Sequence, residues 1–79
     1  MWYVYVLRSK KDGMTYIGST DDLKRRFKQH NDGEVISTKH RIPFELETYV
    51  AVRTEEKARS LEKYFKVGSG NAFLKKRLL

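Results

Sequence analysis

The feature that most restricts the fold of this chain is the Asp12-Gly13 pair set between two alternating segments. Residues 2 to 8 place Trp2, Val4 and Val6 on one side and Tyr3, Tyr5 and Leu7 on the other, the period-two pattern of a strand. Asp-Gly is a strong turn signal, so residues 14 to 19 are expected to return antiparallel as a second strand. The chain has 79 residues and no low-complexity stretch, which predicts a single domain over 1–79 with a modest core.

Downstream, the pattern changes from period two to helical. Thr20 or Asp21 can cap a helix that stops at Asn31-Asp32-Gly33; Leu23, Phe27 and His30 share one stripe of it, while Lys24, Arg25 and Lys28 point elsewhere. A long connection over 31–43 carries Lys39, His40 and Arg41, and connections of that length are commonly functional. Phe44, Leu46, Thr48, Val50 and Val52 then predict a third strand with one apolar face. Thr54 caps a second helix whose apolar side is Ala58, Leu61 and Phe65. Gly68-Ser69-Gly70 is expected to break it, leaving 71–79 as a short basic helix with Phe73, Leu74 and Leu78 turned inward. The order is β-β-α-β-α-α, an α+β chain.

Composition removes several classes of function. There is no cysteine, hence no disulfide framework and no thiolate metal site, and no apolar run approaches the roughly 20 residues of a membrane span. The first residues are too short and too aromatic for a signal peptide, so a reducing, cytoplasmic setting is expected. Seventeen Lys plus Arg against ten Asp plus Glu give a formal +7 and a pI near 9.8. Such an excess favours phosphate polymers, whose condensed counterions are released on binding. Nucleic acid is therefore the expected partner, DNA ahead of RNA and no membrane, with contacts from Lys24, Arg25, Lys28, the Lys39–His40–Arg41 loop, Lys75 and Lys76.

Glu62 is the most informative charge. It falls four positions after Ala58 and three before Phe65, on the apolar side of the second helix. A carboxylate there needs a partner: an internal ion pair, most simply with Arg26, or a metal ion. A hard cation such as magnesium or manganese often takes only one or two carboxylates, with water and substrate phosphate completing the shell.

Tyr3-Val4-Tyr5, then Tyr16-Ile17-Gly18-Ser19-Thr20, then Leu23 with Arg26, then His30, then Glu62 on the penultimate helix form an ordered set. In that set the chain resembles the GIY-YIG nucleases, in particular small stand-alone bacterial members related to the nuclease domains of repair excinucleases. Tyr3 stands where the family's first glycine usually is. The resemblance implies a three-stranded antiparallel sheet flanked by helices and a divalent metal, Mg2+ or Mn2+, held by Glu62. It implies catalytic positions at Tyr5, Tyr16, Arg26 and His30, a motif glycine at Gly18, and Asn71 as the candidate for a family asparagine.

Phosphodiester hydrolysis needs a deprotonated water, neutralisation of charge on the phosphoryl oxygens and help for the departing oxygen. Tyr5 is the first candidate for the base and Tyr16 the second. Arg26 would grip the phosphate with paired donors, His30 would orient a tyrosine or relay a proton, and Gly18 would let the backbone approach substrate. The expected activity is a metal-dependent endonuclease acting on DNA in repair or nucleic-acid processing, structure-selective or weakly sequence-specific. The rival is a DNA- or RNA-binding module of the same fold without catalysis.

Overall fold

The computed structural model describes residues 1–79. Strand β1 (Trp2–Ser9) and strand β2 (Thr15–Thr20) form the expected hairpin, closed by Gly13 at φ +73° with its N–H donating to the Ser9 carbonyl. Helix α1 (Leu23–Asn31) follows, then a single 3-10 turn (Lys39–Arg41), strand β3 (Phe44–Val52), helix α2 (Glu55–Phe65) and helix α3 (Gly68–Arg77). The sheet is antiparallel with order β2-β1-β3, and helices cover both of its faces.

The alternation along β1 decides which helix goes where. Val4 and Val6 meet Ala58, Phe65 and Leu74 from α2 and α3, while Tyr5 and Leu7 meet Phe44 with Leu23 and Phe27 of α1 packed against them. All four β1 residues are 1 % exposed or less, so the middle strand is the core of both layers.

The third strand departs from its simple alternation. Val6 pairs with Thr48 but Leu7 pairs with Leu46, so Glu47 is an extra residue at a bulge. Because side chains alternate with a period of two, that one residue sends Val50 and Val52 to the α2 side and Phe44 to the α1 side. The expected single apolar face of β3 is therefore divided between two layers.

The helix ends also differ in detail. Asp22, rather than Thr20 or Asp21, caps α1 by accepting from the Arg25 N–H at 3.1 Å, and the Thr20 hydroxyl accepts from the Asp22 N–H. Asp32 and Gly33 end α1 as the sequence implied, and the Asn31 amide then clasps both backbone groups of Phe44, tying α1 to β3. The glycines of 68–70 do not form the break. The chain turns at Lys66 and Val67, and Gly68 and Gly70 lie in the first turn of α3. Gly70 is there because a Cβ would stand 1.8 Å from the Tyr64 carbonyl oxygen, so only a glycine lets α3 cross so near the end of α2. Leu74 and Leu78 dock inward as expected, but Phe73 is 45 % exposed. No helix is long and apolar enough to cross a membrane.

Candidate active site

The hairpin and α1 bring Tyr5, Tyr16 and His30 together, with Tyr16 and His30 ring centroids 5.0 Å apart and those of Tyr5 and His30 5.7 Å apart. His30 is fully buried and satisfied at both ends of its ring: Nε2 lies 2.9 Å from the Tyr5 hydroxyl and Nδ1 2.8 Å from the Thr38 hydroxyl. Thr38 directs its own hydrogen at the Val35 carbonyl, which leaves its lone pair for a proton on Nδ1. Nε2 is then the acceptor, and Tyr5 donates to it. Burial, with the nearby Arg26 charge adding to it, lowers the His30 pKa to about 4, so the ring is neutral near pH 7.

Tyr5 is as buried as its partner. Burial raises its phenol above the ordinary value, against the opposing influence of Arg26, and its hydrogen is committed to His30. Tyr5 is thereby held as the neutral phenol, which must lose its proton before it can accept one. Gly18 belongs to the same packing: a Cβ there would lie 2.5 Å from the Tyr5 hydroxyl oxygen, so the missing side chain makes room for Tyr5.

Arg26 is half-buried on α1, where it donates to Gln29 at 3.3 Å and stands close enough to the Tyr5 phenol to oppose the effect of burial on it. No carboxylate lies within ion-pair distance of it. The expected alternative of an Arg26–Glu62 pair is thus not realised. Glu62 accepts instead from the Ser19 hydroxyl at 2.7 Å on Oε1 and from the Lys66 ammonium at 2.7 Å on Oε2. Burial by itself would raise the Glu62 carboxyl, but these two donors more than offset it and hold it below its ordinary value.

Two shallow clefts beside β2 share Lys66. One is lined by Thr15, Tyr16, Ile17, Lys66 and Asn71, and the other by Ser19, Arg59, Glu62, Lys63 and Lys66. The Tyr16 hydroxyl has no hydrogen-bond partner in the chain, so of the two tyrosines it is the one free to meet a ligand. Asn71 donates to the Phe65 carbonyl at 3.1 Å, closing the end of α2, and presents its remaining amide groups to the Tyr16 cleft. Ser19, Lys66 and Thr38 were not singled out from the sequence. The Glu62–Lys66 spacing of four on a helix was the one available signal; a loop threonine that becomes a buried partner gives none.

The cations expected to contact phosphate fall into two groups. Lys24, Lys39, Lys75 and Lys76 are exposed with no acidic partner in reach, whereas Arg25 faces Asp21 and Asp22, and Lys28 is paired with Asp32. Arg41 is used inside the fold, where it pairs with Asp12 at 2.7 Å and donates to the Met14 carbonyl, clamping the hairpin turn. Beside it, His40 is exposed, and only its carbonyl is engaged, by Lys11.

No group of three or more His, Asp or Glu side chains converges anywhere in the chain. A metal would have to be held through Glu62 alone, with water and phosphate completing its shell, and the residues fit that mode. The Glu62 side chain is 23 % exposed, and Oε2 is covered only by a half-exposed lysine that can move away.

A strand-central tyrosine, a second tyrosine on the hairpin, an arginine without a carboxylate and a glutamate on α2 stand in the order that the resemblance to the GIY-YIG nucleases implies. Residues 1–76 match the GIY-YIG catalytic domain, and the chain belongs to that family. It is 40 % identical over 65 residues to a UPF0213 protein of Bacillus licheniformis, covering 81 % of this chain and 66 % of that protein. It is 42 % identical over 65 residues to the UPF0213 protein YazA of Bacillus subtilis, covering 81 % of this chain and 65 % of YazA. These matches span just under two thirds of the relatives' lengths. The solution NMR structure of a UPF0213 protein from Bacillus halodurans aligns over 99 % of this chain and 87 % of its own, with TM-score 0.59 and 32 % identity.

Proposed function

We propose that this chain is a divalent-metal-dependent endonuclease acting on DNA in preference to RNA, weakly sequence-specific or structure-selective, in repair or another processing pathway. The observation that carries the reading is the sharing of Lys66 between the Tyr16–Asn71 cleft and the Ser19–Glu62 cleft, which sets a phenol and a carboxylate along one stretch of surface.

Tyr16, whose hydroxyl is unpartnered in the chain, would take the proton of the attacking water as its phenolate, having first released its own proton to solvent, and Tyr5 holds His30 in place instead of acting as base. Arg26 neutralises the phosphoryl oxygens, as a guanidinium without a carboxylate partner is able to do. Glu62 provides the anchoring oxygen for Mg2+ or Mn2+. When bound, the ion stabilises negative charge on the departing oxygen. Asn71 and Lys66 contact the strand at the rim, while Lys24, Lys39, Lys75 and Lys76 supply exposed positive charge for the flanking phosphates. A cysteine-free chain of this kind suits the reducing cytoplasm.

One observation favours a second reading, nucleic-acid binding without hydrolysis: both Glu62 oxygens already have partners, and no cluster of three or more His, Asp or Glu side chains includes it. A panel of duplex, flapped, branched and single-stranded DNA and RNA, incubated with Mg2+, Mn2+ or chelator, separates the two. Cleavage that chelator stops and that Tyr16→Phe slows about 100-fold or more supports the nuclease. Binding across the panel with no metal-dependent cleavage leaves the binding module.

A further inference from the structure

Arg59 and Lys63 on α2 and Lys66 at its C-cap follow one another at spacings of four and three, and together they line the cleft that holds Ser19 and Glu62. Their present partners differ. Arg59 is paired with Glu55 one turn earlier at 2.7 Å, Lys63 has no carboxylate in reach, and Lys66 gives its ammonium to Glu62. The Glu62–Lys66 pair is lopsided: Ser19 holds the carboxylate from the sheet side, whereas the lysine, 50 % exposed, reaches it from solvent. From the same position Lys66 also lines the Tyr16–Asn71 cleft.

An ion pair four residues apart on a helix surface is weak, because solvent screens it and two long side chains must be ordered to make it. A divalent cation on Glu62 Oε2 would replace a single positive charge by a double one at the same atom, and would repel the ammonium. The lysine stem is long enough to leave the carboxylate while its head stays between the two clefts, where a strand lying against β2 would present phosphate.

We propose that Lys66 is a partner-exchanging phosphate ligand: it covers the outer oxygen of Glu62 when no divalent ion is bound, and moves to a phosphate of the nucleic-acid strand when one is. The Ser19–Lys66 cleft is then the subsite for a phosphodiester next to the one attacked, with Lys63 as its second cation. This rests on the reading of Glu62 as the cation-holding residue.

The test uses Lys66→Met, which keeps the stem and removes the charge, in the full chain. Mn2+ binding to protein alone, read from the resonance signal of free Mn2+, should be about 5-fold tighter in Lys66→Met than in wild type, and lost in Glu62→Gln, by simple competition for one oxygen. On a Tyr16→Phe background, affinity for a duplex oligonucleotide is then measured against salt. Lys66→Met should flatten the slope of log affinity against log salt by about one in Mn2+ and leave it unchanged in chelator. Loss of about one in both conditions would make Lys66 a fixed contact and overturn the exchange. No loss in either would make it a bystander. Glu62-dependent Mn2+ binding that ignores Lys66 sinks this proposal alone, whereas absence of Mn2+ binding from wild type and Lys66→Met alike sinks the reading of Glu62 as well.

Discussion

Tyr5 and Tyr16 carry the same side chain eleven positions apart on paired strands, yet their surroundings give them opposite uses. Tyr5→Phe removes the donor to His30 Nε2 and leaves a buried acceptor unpaired, a change that typically costs about 1–3 kcal/mol. A clear drop in melting temperature with little change in DNA affinity is expected; an unchanged melt would remove Tyr5 from its holding role. His30 sets a pH dependence of its own. Its pKa is about 4 in the fold against an ordinary 6.5, so between those values the unfolded chain binds the extra proton. Stability therefore rises with pH from about 4 to 6.5 and is level above it, a span of roughly 3–4 kcal/mol at most. Urea titrations across that range should find the slope in wild type and lose it in His30→Asn. Asp12, held at about 2 chiefly by its bonds with Arg41, loses its ion pair only at still lower pH, which keeps the two effects apart. The sequence placed His30 among apolar neighbours and left its role open. Its partner Thr38 comes from a loop whose local pattern says nothing about burial, so the ring's neutrality became visible only in three dimensions.

At the scale of elements, the hairpin, the end of α1 and the limits of β3 were legible because turn residues and period-two alternation are local signals. The bulge at Glu47 was not, since apolar residues continue at every second position through it and only the pairing with β1 tells which layer each one serves. The start of α3 was misplaced for a related reason. Glycine reads as a helix breaker by propensity, but Gly70 answers to a crossing between two helices. Gly70→Ala would force apart α3 and the Tyr64 carbonyl, with an expected loss of about 1–3 kcal/mol or more. Gly13→Ala, where nothing lies within 4 Å of the added methyl, should suffer only from its φ of +73°. Thermal melts of both variants order them, and a Gly70→Ala protein as stable as wild type would contradict the crossing described.

Over the whole molecule the formal charge of +7 is less available to a ligand than the count suggests. Arg41, Lys28 and Arg8 are each paired within the chain, so exposed lysines such as Lys24, Lys39 and Lys63 dominate long-range attraction. With about five phosphate contacts, affinity for duplex DNA should fall on the order of 10²–10³-fold between about 50 and 200 mM salt. Arg41→Ala should leave that slope in place and loosen the hairpin instead. A slope that drops with Arg41 would return this residue to the DNA-contacting set.

The burial of β1 on both faces has a kinetic corollary. The backbone amides of Val4 to Leu7 can exchange with solvent only when the sheet itself parts, because each is bonded to β2 or β3 and neither helical layer exposes it by leaving alone. In deuterium these amides should therefore be the slowest in the chain and report its global opening, while those of the exposed turns of α3 exchange through local fraying. The strand that carries Tyr5 is thus the clock by which the lifetime of the folded molecule can be read.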